Sequence, residues 1–147
     1  MTFRPALPDD KILFDEFKRR YSKANSAQRQ TRSIPTSSPE FVFYVAVYKG
    51  RIIGNIGSRL VVANDLTVWH MSGIGVLHEL RGYGVGQGLL KSIIPVLEQR
   101  NCPIWLSARK GNAKAINLYK KMGFRVAEDG DKVQLDGQKD SLMMVKR

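Results

Sequence analysis

The sequence predicts a single α/β domain in which helices flank a mixed, largely antiparallel sheet, with the element order βαβββαβαββ. Residues 41–76 are mostly β-branched and aromatic runs separated by tight turns, which is typical of adjacent antiparallel strands. Two later segments, 84–99 and 112–124, repeat apolar residues at helical spacing. No linker or internal repeat divides residues 1–147, and a chain of 147 residues that is 43% hydrophobic is expected to bury one core.

The N-terminal region predicts one strand, a turn and one helix. The run FRPALPDD is typical of a short strand followed by a turn at Pro8 to Asp10, with room for a short extra helix near this end. The next residues predict a helix with an apolar inner face formed by Ile12, Leu13, Phe17 and Tyr21. Residues 22–40 are polar and contain two prolines, so we expect a loop or a marginal helix there.

A hairpin and a third strand are predicted next. Residues 41–48 and 52–62 alternate in the manner of strands, and the KGR turn between them indicates an antiparallel hairpin. Residues 66–76 continue the strand pattern. Gly73 and Gly75 inside this strand predict a bulge, or the close approach of another backbone or a ligand.

The remaining elements alternate between helix and strand. The helix over 84–99 contains Pro95, so we expect a kink near residues 91–95. A buried strand follows at 104–108, and then a helix that Asn112 caps and Gly123 ends. The runs RVAE and SLMMVKR predict the last two strands, on either side of a polar loop at 128–140.

Charge is the strongest compositional signal. The chain has 24 Lys and Arg against 13 Asp and Glu, which gives a net charge of +11 and a pI near 10.0. Such a field attracts nucleic acid, acidic surfaces and small phosphorylated ligands, and it is equally compatible with a solvated basic surface. Part of the charge is concentrated at Lys18, Arg19, Arg20, Lys23, Arg29 and Arg32.

Several protein classes are excluded by the same composition. No stretch of about 18 apolar residues exists, and charges occupy the place where a signal peptide would be apolar. We therefore expect a soluble, cytoplasmic protein without a membrane partner. The single cysteine, Cys102, cannot form an intrachain disulfide or a cysteine metal cluster, so no metal site is predicted, and we expect Cys102 to fill space in the core.

A glycine-rich turn follows the third strand of the predicted sheet. Four glycines at 82, 84, 86 and 88 lie where a strand passes into a helix, an arrangement that exposes unpaired N–H groups to an anion. Arg81 can add a charge-assisted hydrogen bond. A P-loop would need Lys and then Ser or Thr after its last glycine, and the spacing does not match a dinucleotide fingerprint either.

Two motifs together resemble those of the GNAT superfamily of N-acetyltransferases. RGYGVG has the form of that family's acetyl-CoA-binding turn, and NAKAINLYKKMGF, which begins 31 residues after Arg81, is similar to its second signature. FRPALPDD and DSLMMVKR resemble the family's first and last strands, so the resemblance spans essentially the whole chain. It implies a GNAT-like central sheet flanked by helices.

The resemblance also implies a cofactor, acetyl-CoA, and the residues that bind it. The pantetheine arm would pair with Ile74, Gly75 and Val76 and be reached by Asn112. The backbone amides of Val85, Gly86, Gln87 and Gly88 would hold the pyrophosphate. The turn before them, Arg81, Gly82, Tyr83 and Gly84, would also bind the cofactor. Tyr119 lies two helical turns after Asn112 and would protonate the departing CoA thiolate; the alternative is that Tyr119 is a core residue.

The general base departs from the family pattern. Many relatives carry a Glu on the strand before the turn, whereas residues 66–76 contain no carboxylate. His70 is the natural substitute, because imidazole titrates near neutral pH. His70 alternates in phase with Ser72 and Ile74, which predicts one shared face; a histidine hydrogen-bonded within the sheet is the alternative.

These observations predict an acetyl-CoA-dependent N-acetyltransferase in which a primary amine attacks the thioester directly. The acceptor, a small molecule or a peptide, would lie between residues 12–40, the strand near His70 and the loop at 128–140. Two alternatives stay open: an acetyltransferase of aminoacyl-tRNA that uses the basic surface, and a non-catalytic module that binds CoA or nucleic acid. An exposed edge at the C-terminal strand would suit a homodimer.

Overall fold

A computed structural model describes residues 1–21, 34–63, 65–131 and 140–147 and shows the predicted order of elements. The strands are β1 (Thr2–Pro5), β2 (Phe41–Tyr48), β3 (Arg51–Ala63), β4 (Leu66–Met71), β5 (Gly75–Val76), β6 (Ile104–Arg109), β7 (Arg125–Val126) and β8 (Ser141–Lys146). The helices are α1 (Lys11–Tyr21), α2 (Val85–Glu98) and α3 (Ala113–Lys121), with short 3-10 turns at Pro8–Asp10, His78–Leu80 and Asp129–Asp131. The predicted third strand is therefore divided into β4 and β5.

The strands form one mixed sheet in the order β1-β2-β3-β4-β6-β8-β7, and β5 pairs with β3 beside β4. Among the described strands, β4 and β6 are the one parallel pair, and every other neighbouring pair is antiparallel. The prediction of a largely antiparallel sheet is confirmed. The C-terminal strand β8 was expected at an exposed edge, but it lies between β6 and β7, so the edge strands of the described sheet are β1 and β7.

The helices cover both faces of the sheet. Helix α2 packs on one face, where the indole N–H of Trp69 donates to the carbonyl of Leu97 at 3.0 Å. Helix α1 packs on the other face, where the Phe14 ring meets the Phe43 ring edge-on with centroids 5.5 Å apart. Helix α3 lies on the α2 face. We call the two sides of the sheet the α2 face and the α1 face.

The inner side of α1 differs from the predicted one. Phe14 and Phe17 are buried, whereas Ile12 is 79% exposed and Tyr21 is 46% exposed. Residues two positions apart lie about 200° apart around a helix, so once Phe14 faces the sheet Ile12 must face solvent. Tyr21 keeps a stacked contact with the Phe17 ring at 5.6 Å.

Local predictions in the second half are confirmed where the structure describes them. The Asn112 side-chain oxygen accepts a hydrogen bond from the backbone N–H of Ala115 at 3.2 Å and so caps α3. Gly123 ends that helix with a φ of +99°. Helix α2 continues through Pro95 without a break, and the kink stays a prediction. The predicted loops at 22–40 and 128–140 lie partly outside the described residues.

Two buried aspartates fix the chain beside the first and the seventh strands. The Asp131 carboxylate accepts two hydrogen bonds of 2.8 Å from Arg125, and further bonds from Arg147 and the backbone of Glu128. The Arg125 guanidinium holds the pKa of the Asp131 carboxyl well below its usual range. Asp10 is paired with Arg4 in the same way, and the pKa of Asp10 is lowered for the same reason.

Candidate functional site

An opening lies between the parallel strands β4 and β6. Their pairing ends at Met71 and Leu106, after which β6 continues to Arg109. The chain that leaves β4 stays beside β3 and pairs again as β5, with Gly75 opposite Asn55. As a result, the sides of β5 and of the end of β6 that face each other have no strand between them in the described structure.

A bulge produces this separation. The backbone N–H of Ser72 donates to the carbonyl of Gly57 at 2.8 Å, and Gly75 is paired with Asn55. Gly73 and Ile74 therefore face a single residue of β3, Ile56, which is the arrangement of a β-bulge. The predicted bulge is confirmed.

The extra residue also changes which way Ile74 points. A Cβ at Gly86 would lie 3.6 Å from Ile74, which places the Ile74 side chain on the α2 face. Ser72 lies on the opposite face, where its hydroxyl bonds to the backbone of Gly57. The expected common face for His70, Ser72 and Ile74 is therefore wrong for Ile74, because the bulge inserts one residue and reverses the alternation.

Gly75 leaves room for the side chain of Asn55 on the neighbouring strand. A Cβ at this position would lie 2.6 Å from the side-chain oxygen of Asn55, a distance at which one of the two must move. The carbonyl of Gly75 in turn lies 2.9 Å from where a Cβ of Gly54 would be. Strands β3 and β5 therefore approach closely through two glycines, as the sequence predicted for a second backbone.

The glycine-rich turn presents free amides at the start of α2. Gly82 and Gly84 have φ angles of +88° and +79°, and a Cβ at either would meet no atom within 4 Å. The first hydrogen bond of the helix runs from the N–H of Gly88 to the carbonyl of Gly84 at 3.0 Å. The amides of residues 85–87 precede this bond and have no acceptor within the helix, so this turn can hold an anion.

Gly88 has a packing role. Its N–H is already bonded within the helix, and a Cβ there would lie 2.5 Å from Cε2 and 2.6 Å from Cε1 of Phe3. The glycine lets α2 approach β1. The predicted set of phosphate donors at this turn is therefore reduced to Val85, Gly86 and Gln87, beside the exposed side chains of Arg81 and Tyr83.

Tyr119 belongs to the core next to the opening. It is 5% exposed, and its ring meets the Phe124 ring edge-on at 6.0 Å. Burial raises the pKa of the Tyr119 phenol, so the hydroxyl keeps its proton at neutral pH. Its neighbour Leu118 lies 3.6 Å from where a Cβ of Gly86 would be, so α3 reaches the start of α2. The side-chain oxygen of Asn112 is used in capping, which leaves its amide group for a ligand.

His70 lies on the α1 face in a row of side chains that crosses the sheet. The strand register places Phe41 opposite Arg59, Arg59 opposite His70, and His70 opposite Trp105. His70 is exposed, and two residues further along lie Ser72, just after the end of β4, and Ser107 on β6. His70 and Tyr119 thus lie on opposite faces of the sheet. A ligand that contacts both side chains would have to extend through the opening. Sequence reasoning missed Arg59 and Ser107, because only the register brings them here.

Carboxylates are absent from the sheet. None of the eight described strands contains Asp or Glu, so His70 is the only side chain in these strands suited to take up a proton near neutral pH. Among the described residues, no group of three His, Cys, Asp or Glu could hold a metal ion. No described helix is long and apolar enough to cross a membrane.

Comparison with known proteins finds similarity to acetyltransferases. The model of the acetyltransferase (GNAT) family matches residues 10–124. An N-alpha-acetyltransferase of Sulfurisphaera tokodaii is 29% identical over 114 residues, which are 71% of this chain and 68% of that protein. The 5-NmdU N-acetyltransferase of Pseudomonas phage PaMx11 is 31% identical over 126 residues, which are 84% of this chain and 86% of that protein. The chain covers smaller shares, 65% and 57%, of two other N-acetyltransferases.

The fold is shared with solved acetyltransferase structures. Arabidopsis thaliana NAA60 in complex with acetyl-CoA superposes with a TM-score of 0.68 and 19% identity, covering 98% of this chain and 96% of that one. At this identity the likeness concerns the fold. The arrangement of sheet and flanking helices described above is therefore the one on which that protein holds acetyl-CoA.

Proposed function

Since the chain belongs to the acetyltransferase (GNAT) family and its acyl donor is acetyl-CoA, we propose that it transfers the acetyl group to a primary amine by direct attack. One observation supports this most strongly. The pairing of β4 and β6 ends between the free amides at the start of α2 on one face and the exposed His70 on the other. A donor held on one face can thus meet an acceptor that arrives from the other.

The residues at the opening fit the donor. The amides of Val85, Gly86 and Gln87 suit its pyrophosphate, and Gly82 and Gly84 leave the approach free of side-chain atoms. Strand β5 is paired with β3 on one side, so its other side offers backbone groups to the pantetheine amides. Bound acetyl-CoA supplies the activated acyl group.

The proton transfers are assigned to two side chains. The amine nitrogen forms a bond to the acyl carbon as the carbon–sulfur bond breaks. His70 takes the proton that the amine loses, and Tyr119 donates its phenolic proton to the leaving sulfur. The raised pKa of Tyr119 keeps that proton available. Cys102 lies outside this scheme, since its sulfur contacts the Arg100 carbonyl at 3.5 Å.

The lack of Asp and Glu in the described strands favours an α-amine as the acceptor. An alkylamine with a pKa near 10 is neutral in only about one molecule in a thousand at pH 7, whereas a terminal α-amine has a pKa near 7.7–8.0 and is neutral in roughly one in ten. Histidine is a sufficient base for the second kind. The Sulfurisphaera relative is named for N-alpha acetylation, so we assign the acceptor as the α-amine of a polypeptide.

An amine on a nucleic acid is the second candidate acceptor. The net charge of +11 favours binding to a polyanion. The phage relative, whose name gives 5-NmdU as its substrate, aligns with 84% of this chain. Transfer to aminoacyl-tRNA falls in this same class. Family membership favours either enzyme over a non-catalytic module.

Ligand-dependent unfolding and a turnover assay test the proposal together. Acetyl-CoA and CoA, but not ATP, should raise the midpoint of thermal unfolding by several degrees, since a ligand at 100 times its Kd stabilises by about 2.7 kcal/mol. Release of free CoA thiol should then depend on added peptide. An equal shift with ATP would refute the cofactor site. Thiol release that occurs with an oligonucleotide amine, and does not occur with any peptide, would identify the second candidate as the acceptor.

A further inference from the structure

Arg59 is placed directly beside the proposed base. It lies on β3, and the register sets it opposite His70 on β4 and opposite Phe41 on β2. The Arg59 guanidinium carbon lies 4.9 Å from the centre of the Phe41 ring. Stacking of this kind restrains the long side chain and leaves the guanidinium N–H groups at its edge for another partner.

The arginines of the described strands differ in whether a carboxylate pairs with them. Arg51 and Arg125 are paired with Glu16 and Asp131 at 3.2 Å and 2.8 Å. Arg59 and Arg109 pair with no carboxylate within the described ranges. Arg109 comes four residues after Trp105, which is about 13 Å along the strand. Arg59 is therefore the unpaired strand cation next to His70.

From this position we infer that Arg59 selects acceptors in which a carboxylate lies close to the reacting amine, namely polypeptides that begin with Asp or Glu. The inference rests on the proposed function. The Cα atoms of Arg59 and His70 are paired across the strands, about 5 Å apart, so an amine held by the His70 side chain lies beside the Arg59 side chain. The carboxylate of a first-position Asp is three bonds from its own α-amine, so the two groups can contact His70 and Arg59 together.

The surroundings of Arg59 favour a single carboxylate over a phosphate backbone. A nucleic acid strand is held by a series of cations along its length. In the row that crosses the sheet, Arg59 is flanked by Phe41 on one side and by His70 and Trp105 on the other. One cation between aromatic side chains matches one carboxylate, which a guanidinium can bind through two hydrogen bonds.

Two peptides that differ only in their first residue, Asp or Asn, test the inference. We expect the enzyme to favour the Asp peptide in kcat/KM by about 10-fold, the low end of what a hydrogen bond to a charged group contributes. Arg59→Gln should reduce that ratio to about 1 and leave the Asn peptide within about twofold. Arg59→Lys should keep part of the preference, because the charge stays while the paired hydrogen bonds are lost.

Arg51→Gln is the control, since it removes the same charge from the same strand, β3. It should keep the preference. A preference unchanged in Arg59→Gln would overturn the inference and leave the proposed function standing. If Arg59→Gln and Arg59→Lys both lower kcat/KM equally for the Asp and Asn peptides, Arg59 has a structural role. That result would also overturn the inference. Inhibition of the parent enzyme by a single-stranded oligonucleotide that Arg59→Gln relieves, without any Asp preference, would assign the residue to phosphate.

If the parent enzyme acetylates neither peptide while acetyl-CoA still raises its unfolding midpoint, the peptide acceptor itself is wrong. The inference about Arg59 can be refuted only if the parent enzyme acetylates the Asn peptide, so the two results are distinct. The two proposals can therefore fail independently.

Discussion

Replacing Gly88 by Ala tests whether this glycine serves packing. The added Cβ would lie 2.5 Å and 2.6 Å from two atoms of the Phe3 ring, so the ring must move away from α2. Gly86→Ala is the matched control two residues earlier, because its Cβ would make ordinary contacts of 3.6 Å with Ile74 and Leu118. Both substitutions occur in the same helix.

The free energies of unfolding should separate the two variants. Alanine in place of glycine within a helix contributes about 1 kcal/mol of stability, and Gly86→Ala should show up to that gain. Inserting atoms into a packed contact costs about 1–3 kcal/mol. Gly88→Ala should therefore be about 1–3 kcal/mol less stable than Gly86→Ala, although both receive the same helical contribution.

Urea unfolding of the ligand-free protein measures this difference, and Phe3→Leu completes a double-mutant cycle. Removing the ring should make Gly88→Ala less costly, with a coupling energy of at least about 0.5 kcal/mol. Equal stabilities for Gly86→Ala and Gly88→Ala, together with zero coupling to Phe3, would refute the packing role.

Three further predictions concern chemistry and pH. Tyr119→Phe should lower kcat by about 10²-fold or more and leave the unfolding shift with acetyl-CoA unchanged; turnover equal to that of the control Tyr83→Phe would remove the general-acid role. His70→Gln should lower kcat/KM at pH 7, and the deficit should shrink toward pH 9, where an α-amine loses its proton to solvent; a deficit independent of pH would contradict a base. Asp131→Asn should lower the unfolding midpoint at pH 7. Because the pKa of Asp131 is lowered in the folded state, that difference should persist down to about pH 4 and disappear as the pH falls further; a constant difference down to pH 2 would show that the ion pairs are not its cause.

Features that depend on residues adjacent in the sequence were predictable from the sequence. The hairpin, the cap at Asn112, the helix end at Gly123 and the turn at residues 81–86 all follow from local backbone preferences and periodicity. The two motifs that resemble the family's signatures are also local, and the family comparison confirms the resemblance over residues 10–124. The element order and the mixed sheet followed from the same patterns.

The tertiary structure alone decided which residues meet. The bulge at Gly73 and Ile74 is defined by the pairing of this segment with β3. Alternation within one strand therefore could not show that Ile74 lies on the face opposite to His70. In the sequence, nothing distinguishes Gly88 from the other glycines of the turn. Only the position of β1 shows that the Phe3 ring occupies the space that a Cβ at Gly88 would need. Arg59 lies beside His70 because strand register, a property of two distant segments, sets them opposite each other.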